Sequence, residues 1–185
     1  MPTPCPEPDG SSPRQTRFDG RPPMCIDPSR RYTAELSTSL GDLTIALDPV
    51  AAPATVNNFV VLARYHYYDG LVFHRVIKGF MCQGGDPQGT GTGGPGYKFD
   101  DELPKPGRYE IGSLAMANSG PNTNGSQFFI VSGRSGVGLP PSYSLFGKVV
   151  KGLDVVATME GVSTDRNDRP TEDLVINSVT ITEAE

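Results

Sequence analysis

The run Tyr68–Gly85 (YDGLVFHRVIKGFMCQGG) holds the residues of greatest chemical interest in this 185-residue chain. Arg75 lies inside an otherwise apolar stretch, where a guanidinium needs a polar partner to offset the loss of water. Gln83, on the next stretch, is the nearest candidate, and Phe80 and Met81 add apolar surface close by. Pattern alone leaves two readings open: a structural Arg–Gln contact, or a fixed cation set against an apolar patch. His74 reads as a hydrogen-bonded structural residue of the same strand.

Other sources of chemistry are weaker. The glycine-dense segment Gly84–Gly96 is superficially like a phosphate-cradling loop, but such loops feed a helix whose N-terminus faces the phosphate. Here Pro95-Gly96 follows instead, with no Gly-Lys-Ser/Thr. His66, His74 and Cys82 are eight residues apart, which is no metal-ligand spacing, and the chain has no other histidine. No Gly-x-Ser-x-Gly occurs for nucleophilic hydrolysis. The sequon Asn124-Gly125-Ser126 reads as a chance match. Neither a cofactor nor a metal is expected.

The elements that must position these residues show in the patterning. Glycine (22) and proline (18) are abundant, yet eight of the prolines fall within residues 1–31. The chain therefore reads as a Pro-rich N-terminal extension, 1–31, followed by one domain, 32–185. Tyr32–Ser39 and Leu43–Asp48 alternate and form a hairpin about Leu40-Gly41-Asp42. Pro53 opens a helix to about Arg64, with Val56, Phe59, Val60 and Ala63 as one buried stripe. Leu71–Ile77, Phe80–Gly84, Ile111–Ala117, Gln127–Ser132, Leu145–Val150 and Leu174–Thr182 read as strands. Leu153–Met159 is a second short helix. In the last strand the pattern places Val175, Asn177, Val179 and Ile181 on one face and Leu174, Ile176 and Ser178 on the other. Many strands without a βαβ rhythm predict a mainly β fold, an antiparallel barrel or sandwich with two helices at its open ends.

The net charge of −5, with lysines and arginines scattered, argues against nucleic acid or anionic membrane as a partner. No apolar stretch approaches a membrane span, and the N-terminus has no signal-peptide pattern. A cytoplasmic location is the expectation, with a processed exported form left open. Cys82 reads as a buried free thiol. Cys5 and Cys25 lie in the extension, where a bridge would close a loop of about 20 residues worth about 3 kcal/mol. Such a bridge forms only in an oxidising compartment, so the free and bridged forms both stand.

The 18-residue run resembles the signature of the cyclophilins, peptidyl-prolyl cis–trans isomerases, in a bacterial-like form. The resemblance continues through Gly91-Thr92-Gly93-Gly94, Ser113–Asn118, Gly120–Phe129 and Phe146-Gly147-Lys148-Val149, covering about residues 32–182. It implies a closed eight-stranded antiparallel β-barrel capped by two α-helices, with substrate bound on the outer surface. By position, Arg75 matches the catalytic arginine and Gln83 the glutamine that positions it. Phe80, Met81, Phe129 and Leu139 match the pocket for the proline ring. Ala117, Asn118 and Gln127 match residues flanking the peptide, and Gly91 and Ser119 match a neighbouring subsite. Tyr143 stands where many relatives have histidine. Gly138 stands where many have a tryptophan, which argues against tight cyclosporin binding and leaves weak binding as the expectation. The implied partners are proline-containing peptides and unfolded chains, and the chain is expected to act as a monomer.

These residue types suit that chemistry. The barrier to peptide-bond rotation, about 18–20 kcal/mol, comes from amide resonance. In the twisted amide the prolyl nitrogen regains its lone pair and accepts a hydrogen bond, which a permanently charged guanidinium can donate. An apolar pocket grips the ring while the carbonyl side rotates, and no nucleophile is needed. Strict alternation places Met81 and Gln83 on one face and Phe80 on the other, so Phe80 joins the pocket only if the chain bends near Gly79. A binding or chaperone module with incidental catalysis is the competing reading. The extension either remains a disordered tether or docks through Phe18, Met24 and Ile26, the second being preferred.

Overall fold

The computed structural model describes residues 3–185. Eight antiparallel strands form one curled sheet in the order β3-β4-β6-β5-β7-β2-β1-β8. They are β1 Arg31–Thr38, β2 Gly41–Leu47, β3 Arg75–Ile77, β4 Met81–Gly84, β5 Ser113–Met116, β6 Phe128–Val131, β7 Leu145–Lys151 and β8 Ile176–Ala184. Three helices accompany them: α1 Pro53–Arg64, α2 Arg134–Val137 and α3 Leu153–Glu160. The helix not expected from the sequence, α2, is a single turn built on Arg134-Ser135-Gly136-Val137, too short to leave a periodic pattern.

The expected closure is corrected: the sheet is open. No ladder joins β3 to β8. The gap is spanned by one bridge, Val72↔Val175, and by irregular bonds such as Phe73 N–H to Leu174 O at 2.9 Å and Gly70 N–H to Ile176 O at 2.7 Å. The same bonds explain why the strand expected over Leu71–Ile77 shrinks to Arg75–Ile77. Its first half leaves the β3 line to pair with the chain entering β8.

The alternation expected in the last strand also changes. Leu174, Ile176 and Val179 are buried, whereas Asn177 is exposed. Between Ser37 and Thr38 the β1–β8 register slips, so that Ser37 faces Ser178 but Thr38 faces Ile176. An extra residue in one strand switches the faces beyond it.

Period-2 alternation gives the central strands two apolar faces. Phe128, Ile130, Leu114, Met116 and Cys82 point into the main core, which fills the concave side. Met81, Ala115, Phe129 and Val131 form a second cluster on the outer face, with Tyr109 beside them. The Cys82 thiol, driven up to about 12 by burial, is inert as a nucleophile.

Helix α1 is buried from Thr55 to Arg64, more than the single stripe expected. Its outer side is covered by the N-terminal extension. The Asn57 side chain accepts from Cys25 N–H (2.7 Å) and Ile26 N–H (3.2 Å) and donates to Pro23 O at 2.9 Å. Phe18 and Ile26 are buried in the main core, while Met24 stays exposed. Cys5 and Cys25 are joined by a disulfide. Asn124 of the sequon is fully buried and donates to Phe99 O and to Asp101, so its amide is no glycan acceptor.

Candidate active site

One row of cross-strand partners organises the outer face: Arg75 on β3 pairs with Gln83 on β4, Gln83 with Phe129 on β6, and Phe129 with Ala115 on β5. Residues directly opposite one another in antiparallel strands project to the same face. A guanidinium, a carboxamide, an aromatic ring and a methyl group therefore stand in line. With about 4.7–4.9 Å between strands, the Arg75 and Phe129 backbones are about 10 Å apart, within reach of an extended arginine over a bound ring.

Arg75 is exposed, so it is not the half-buried cation its apolar neighbours imply. The β3 edge leaves its side uncovered, in a hollow of about 530 Å³ shared with His74, Gln83, Gly91, Asn167 and Arg169. No hydrogen bond joins Arg75 to Gln83 among the described residues. The Gln83 carboxamide instead donates to Gln127 Oε1 (3.0 Å), and Gln127 donates to Gly93 O (3.0 Å). The two glutamines form a relay from the hollow to the glycine-rich loop.

Phe80, Met81, Phe129, Leu139 and Tyr143 gather in the outer apolar cluster. Phe80 reaches it through the bend that alternation demands: Gly79 adopts φ +79°, and Phe80 lies in a turn just before β4. That turn is clamped from the α2 side. Ser132 and Gly133 N–H donate to Phe80 O at 3.0 and 3.2 Å, and Ser135 N–H donates to Gly79 O at 3.0 Å. Tyr143 stands edge-on to Phe129, ring centres 5.4 Å apart. It is fixed by Tyr109, whose hydroxyl donates to Tyr143 O (2.6 Å) and accepts from Tyr143 N–H (3.1 Å). Tyr109 carried no signal in the sequence, since it follows Pro106-Gly107 in a segment without periodicity.

Beside the apolar cluster lies a groove of about 640 Å³, lined by Gln83, Gly91, Ala117, Asn118, Ser119 and Gln127 among others. Gln83 borders both groove and hollow, and Ala117 lines the groove while packing against the apolar cluster that holds Phe80, Met81, Phe129, Leu139 and Tyr143. The far wall is the glycine-rich loop. Burial alone would raise the carboxyl of Asp86, but backbone N–H groups of Gln88, Gly93, Gly91 and Thr90 hold it below its ordinary value. Bonds of 2.8 Å from Gln88, 3.0 Å from Thr90 and 2.6 Å from Gly91 tie the loop around it. Amides already given to an internal carboxylate have no donor left for a phosphate. A lone acid within the glycine run was the sign of this that sequence reading passed over.

The family model described as cyclophilin type peptidyl-prolyl cis-trans isomerase/CLD matches residues 33–181. The chain belongs to the cyclophilins. It is 48% identical over 172 residues to peptidyl-prolyl cis-trans isomerase A of Mycobacterium tuberculosis, covering 83% of this chain and 94% of that one. An Arabidopsis thaliana isomerase is 50% identical over 150 residues, 79% of this chain but only 24% of the plant protein. Among solved structures, a Cryptosporidium parvum cyclophilin superposes with a TM-score of 0.77 at 38% identity, over 82% of this chain and 98% of that one. The same protein is also known in the presence of the dipeptide Ala-Pro. Among the described residues of this cyclophilin no helix is long and apolar enough to cross a membrane.

His74 offers a check on the site's electrostatics. It is buried, its Nδ1 has no partner among the described residues, and burial lowers its imidazole below the ordinary 6.5, with Asp86 opposing and Arg169 and Arg75 adding to the shift. As pH falls the unfolded chain takes up this proton first. The contribution of neutral His74 is therefore complete above about pH 6.5 and declines below it. Denaturant midpoints at pH 7.5 and 5.5 should drop more in the unaltered chain than in His74→Asn. An equal drop in both would mean His74 is not held neutral.

Proposed function

We propose that the outer face of β3, β4, β5 and β6 catalyses cis–trans exchange at X–Pro bonds of peptides and unfolded chains. Arg75 donates to the prolyl nitrogen as the amide twists. Phe80, Met81, Phe129 and Leu139, with Tyr143 at the edge, hold the proline ring. Gln83 and Gln127 fix the surface between them, and Ala117, Asn118, Gly91 and Ser119 border the neighbouring subsite. The observation that carries this is the row Arg75–Gln83–Phe129–Ala115, which sets a free cation two ladder steps from an apolar platform. Selective binding of the twisted state lowers the barrier. A reduction of about 7–8 kcal/mol corresponds to about 10⁵- to 10⁶-fold acceleration.

Exchange spectroscopy on an Ala–Pro peptide is the direct test. Catalytic amounts of the protein should bring cis–trans exchange, ordinarily tens of seconds or slower, to a rate visible on the NMR timescale. Binding without faster exchange would sink the isomerase reading and leave a proline-binding module.

The isomerase domain is residues 32–185, a reading supported by the family match over 33–181; it acts as a monomer and is bacterial-like, the latter in keeping with its 48% identity to the mycobacterial relative. The Cys5–Cys25 bridge is rare in reducing compartments and favours the exported alternative over the cytoplasmic one. Weak cyclosporin binding follows from Gly138, which is exposed, with φ −84° at the end of α2. An added Cβ there meets nothing nearer than 3.7 Å. Gly138→Trp should therefore fold normally and tighten cyclosporin binding about tenfold or more, as read by isothermal titration. Tight binding by the unaltered chain would remove the basis for this expectation.

A further inference from the structure

The extension is bound to the back of the groove, not merely to the body of the fold. Phe18 N–H donates to Pro95 O at 3.0 Å, and the Phe18 carbonyl lies so close over Gly96 that any side chain there would collide with it. Gly96 also takes φ +104°, a conformation that favours glycine. The Phe18 ring packs on Tyr65 at 5.5 Å, and on Tyr67 and Tyr97 at 6.3 Å. Two of those tyrosines continue to the groove. Tyr97 donates to Asn58, whose Nδ2 donates to Gly125 O at 2.8 Å. Tyr67 donates to Ser126 Oγ at 2.9 Å. Pro95, Gly96, Tyr97, Gly125 and Ser126 all line the groove.

The segment carrying Phe18 is pinned on both sides. Before it, Gln15 N–H donates to Tyr65 O (3.0 Å) and Arg14 to Asp69 O (2.6 Å). After it, the Cys25 and Ile26 amides hold Asn57, and the disulfide closes the loop from Cys5 to Cys25 with Phe18 inside it.

We propose that residues 14–26 are a positioning strap for the groove wall, and that Phe18 sets which flanking side chain of the substrate the groove admits. This rests on the isomerase reading, in which the groove takes a residue beside the X–Pro pair. The strap acts by fixing the Pro95–Tyr97 wall against the aromatic cluster. Without the Phe18 ring, the wall loses its backing and the groove its fixed width. Phe18 touches no substrate, so it is a positioning residue, and it governs selectivity rather than the rotation itself.

The test is kcat/KM across a panel of peptides that share one Ala–Pro bond and differ only two places before the proline, bearing glycine, leucine, phenylalanine, lysine or glutamate there. In Phe18→Ala the spread between the best and worst peptide should narrow by about threefold or more, through KM for the best ones, and Phe18→Tyr should restore it. Amide NMR signals of Gly94, Gly96, Tyr97, Lys98 and Gly125 should move while those of Met81 and Phe129 stay. Cys5→Ser/Cys25→Ser, which keeps Phe18 but frees the strap's ends, should narrow the spread in the same direction. Should Phe18→Ala not fold, this pair carries the test. An unchanged spread, or a uniform loss over all peptides with the same ratios, overturns the proposal. Loss of all exchange in the unaltered chain overturns the isomerase reading instead, so the two failures are distinct.

Discussion

Arg75→Ala should lower kcat/KM for X–Pro exchange by about 10²- to 10³-fold while the protein keeps its thermal midpoint. The size follows from removing one preorganised donor aimed at charge that appears only in the transition state, about 2.7–4 kcal/mol. The unchanged midpoint follows from place: Arg75 is exposed on an edge strand and makes no ion pair or side-chain hydrogen bond among the described residues. Peptide affinity should change much less than the rate, because the apolar platform remains. Arg75→Lys should recover only part of the rate, since a point charge on a flexible stem lacks the planar fork. Exchange spectroscopy at saturating and limiting peptide separates the two quantities. A fall in affinity that accounts for the whole loss would mean that Arg75 binds the ground state and does no more.

Gly133→Ala is expected to do the opposite, damaging stability and catalysis together. A Cβ on Gly133 would overlap the Gly79 backbone, and backbone cannot swing aside as a long side chain does. Either the Ser132, Gly133 and Ser135 amides release the Phe80 turn, or β4 shifts against β6. Overpacking of this kind costs about 1–3 kcal/mol and sometimes more, which for a chain of this size lowers the midpoint by roughly 2–12 °C. With the turn released, Phe80 leaves the outer cluster, so kcat/KM should fall in the properly folded fraction as well. Calorimetry and the exchange assay on the same sample read both effects. A stable variant with full activity would show that the clamp on the turn is dispensable.

The contrast between these two positions also explains what could be read from the sequence. The row through Arg75, Gln83 and Phe129 was legible because the resemblance supplied the positions and alternation supplied the face. The helix from Pro53 to Arg64 matched its proline start and its length, although its burial runs well beyond the expected stripe of Val56, Phe59, Val60 and Ala63. Three things were not legible. A four-residue helix has no period to detect, so α2 and its clamp on the Phe80 turn stayed hidden. Closure depends on whether Leu71–His74 pairs along β3 or turns towards the chain entering β8, and an apolar run serves either purpose. Partners far apart in sequence, such as Gln83 with Gln127 or Phe18 with Pro95, leave no trace in local spacing.

The filled concave side has a consequence for the kind of client the protein can serve. Because Leu36, Leu43, Ile45, Leu114 and Phe146 occupy the interior completely, nothing needs to be threaded through the molecule. A proline anywhere along a chain, between two folded portions or inside a loop held at both ends, can be laid across the convex face without a free terminus. Access is then limited by how far the client bulges from its own surface, not by where along its length the proline falls.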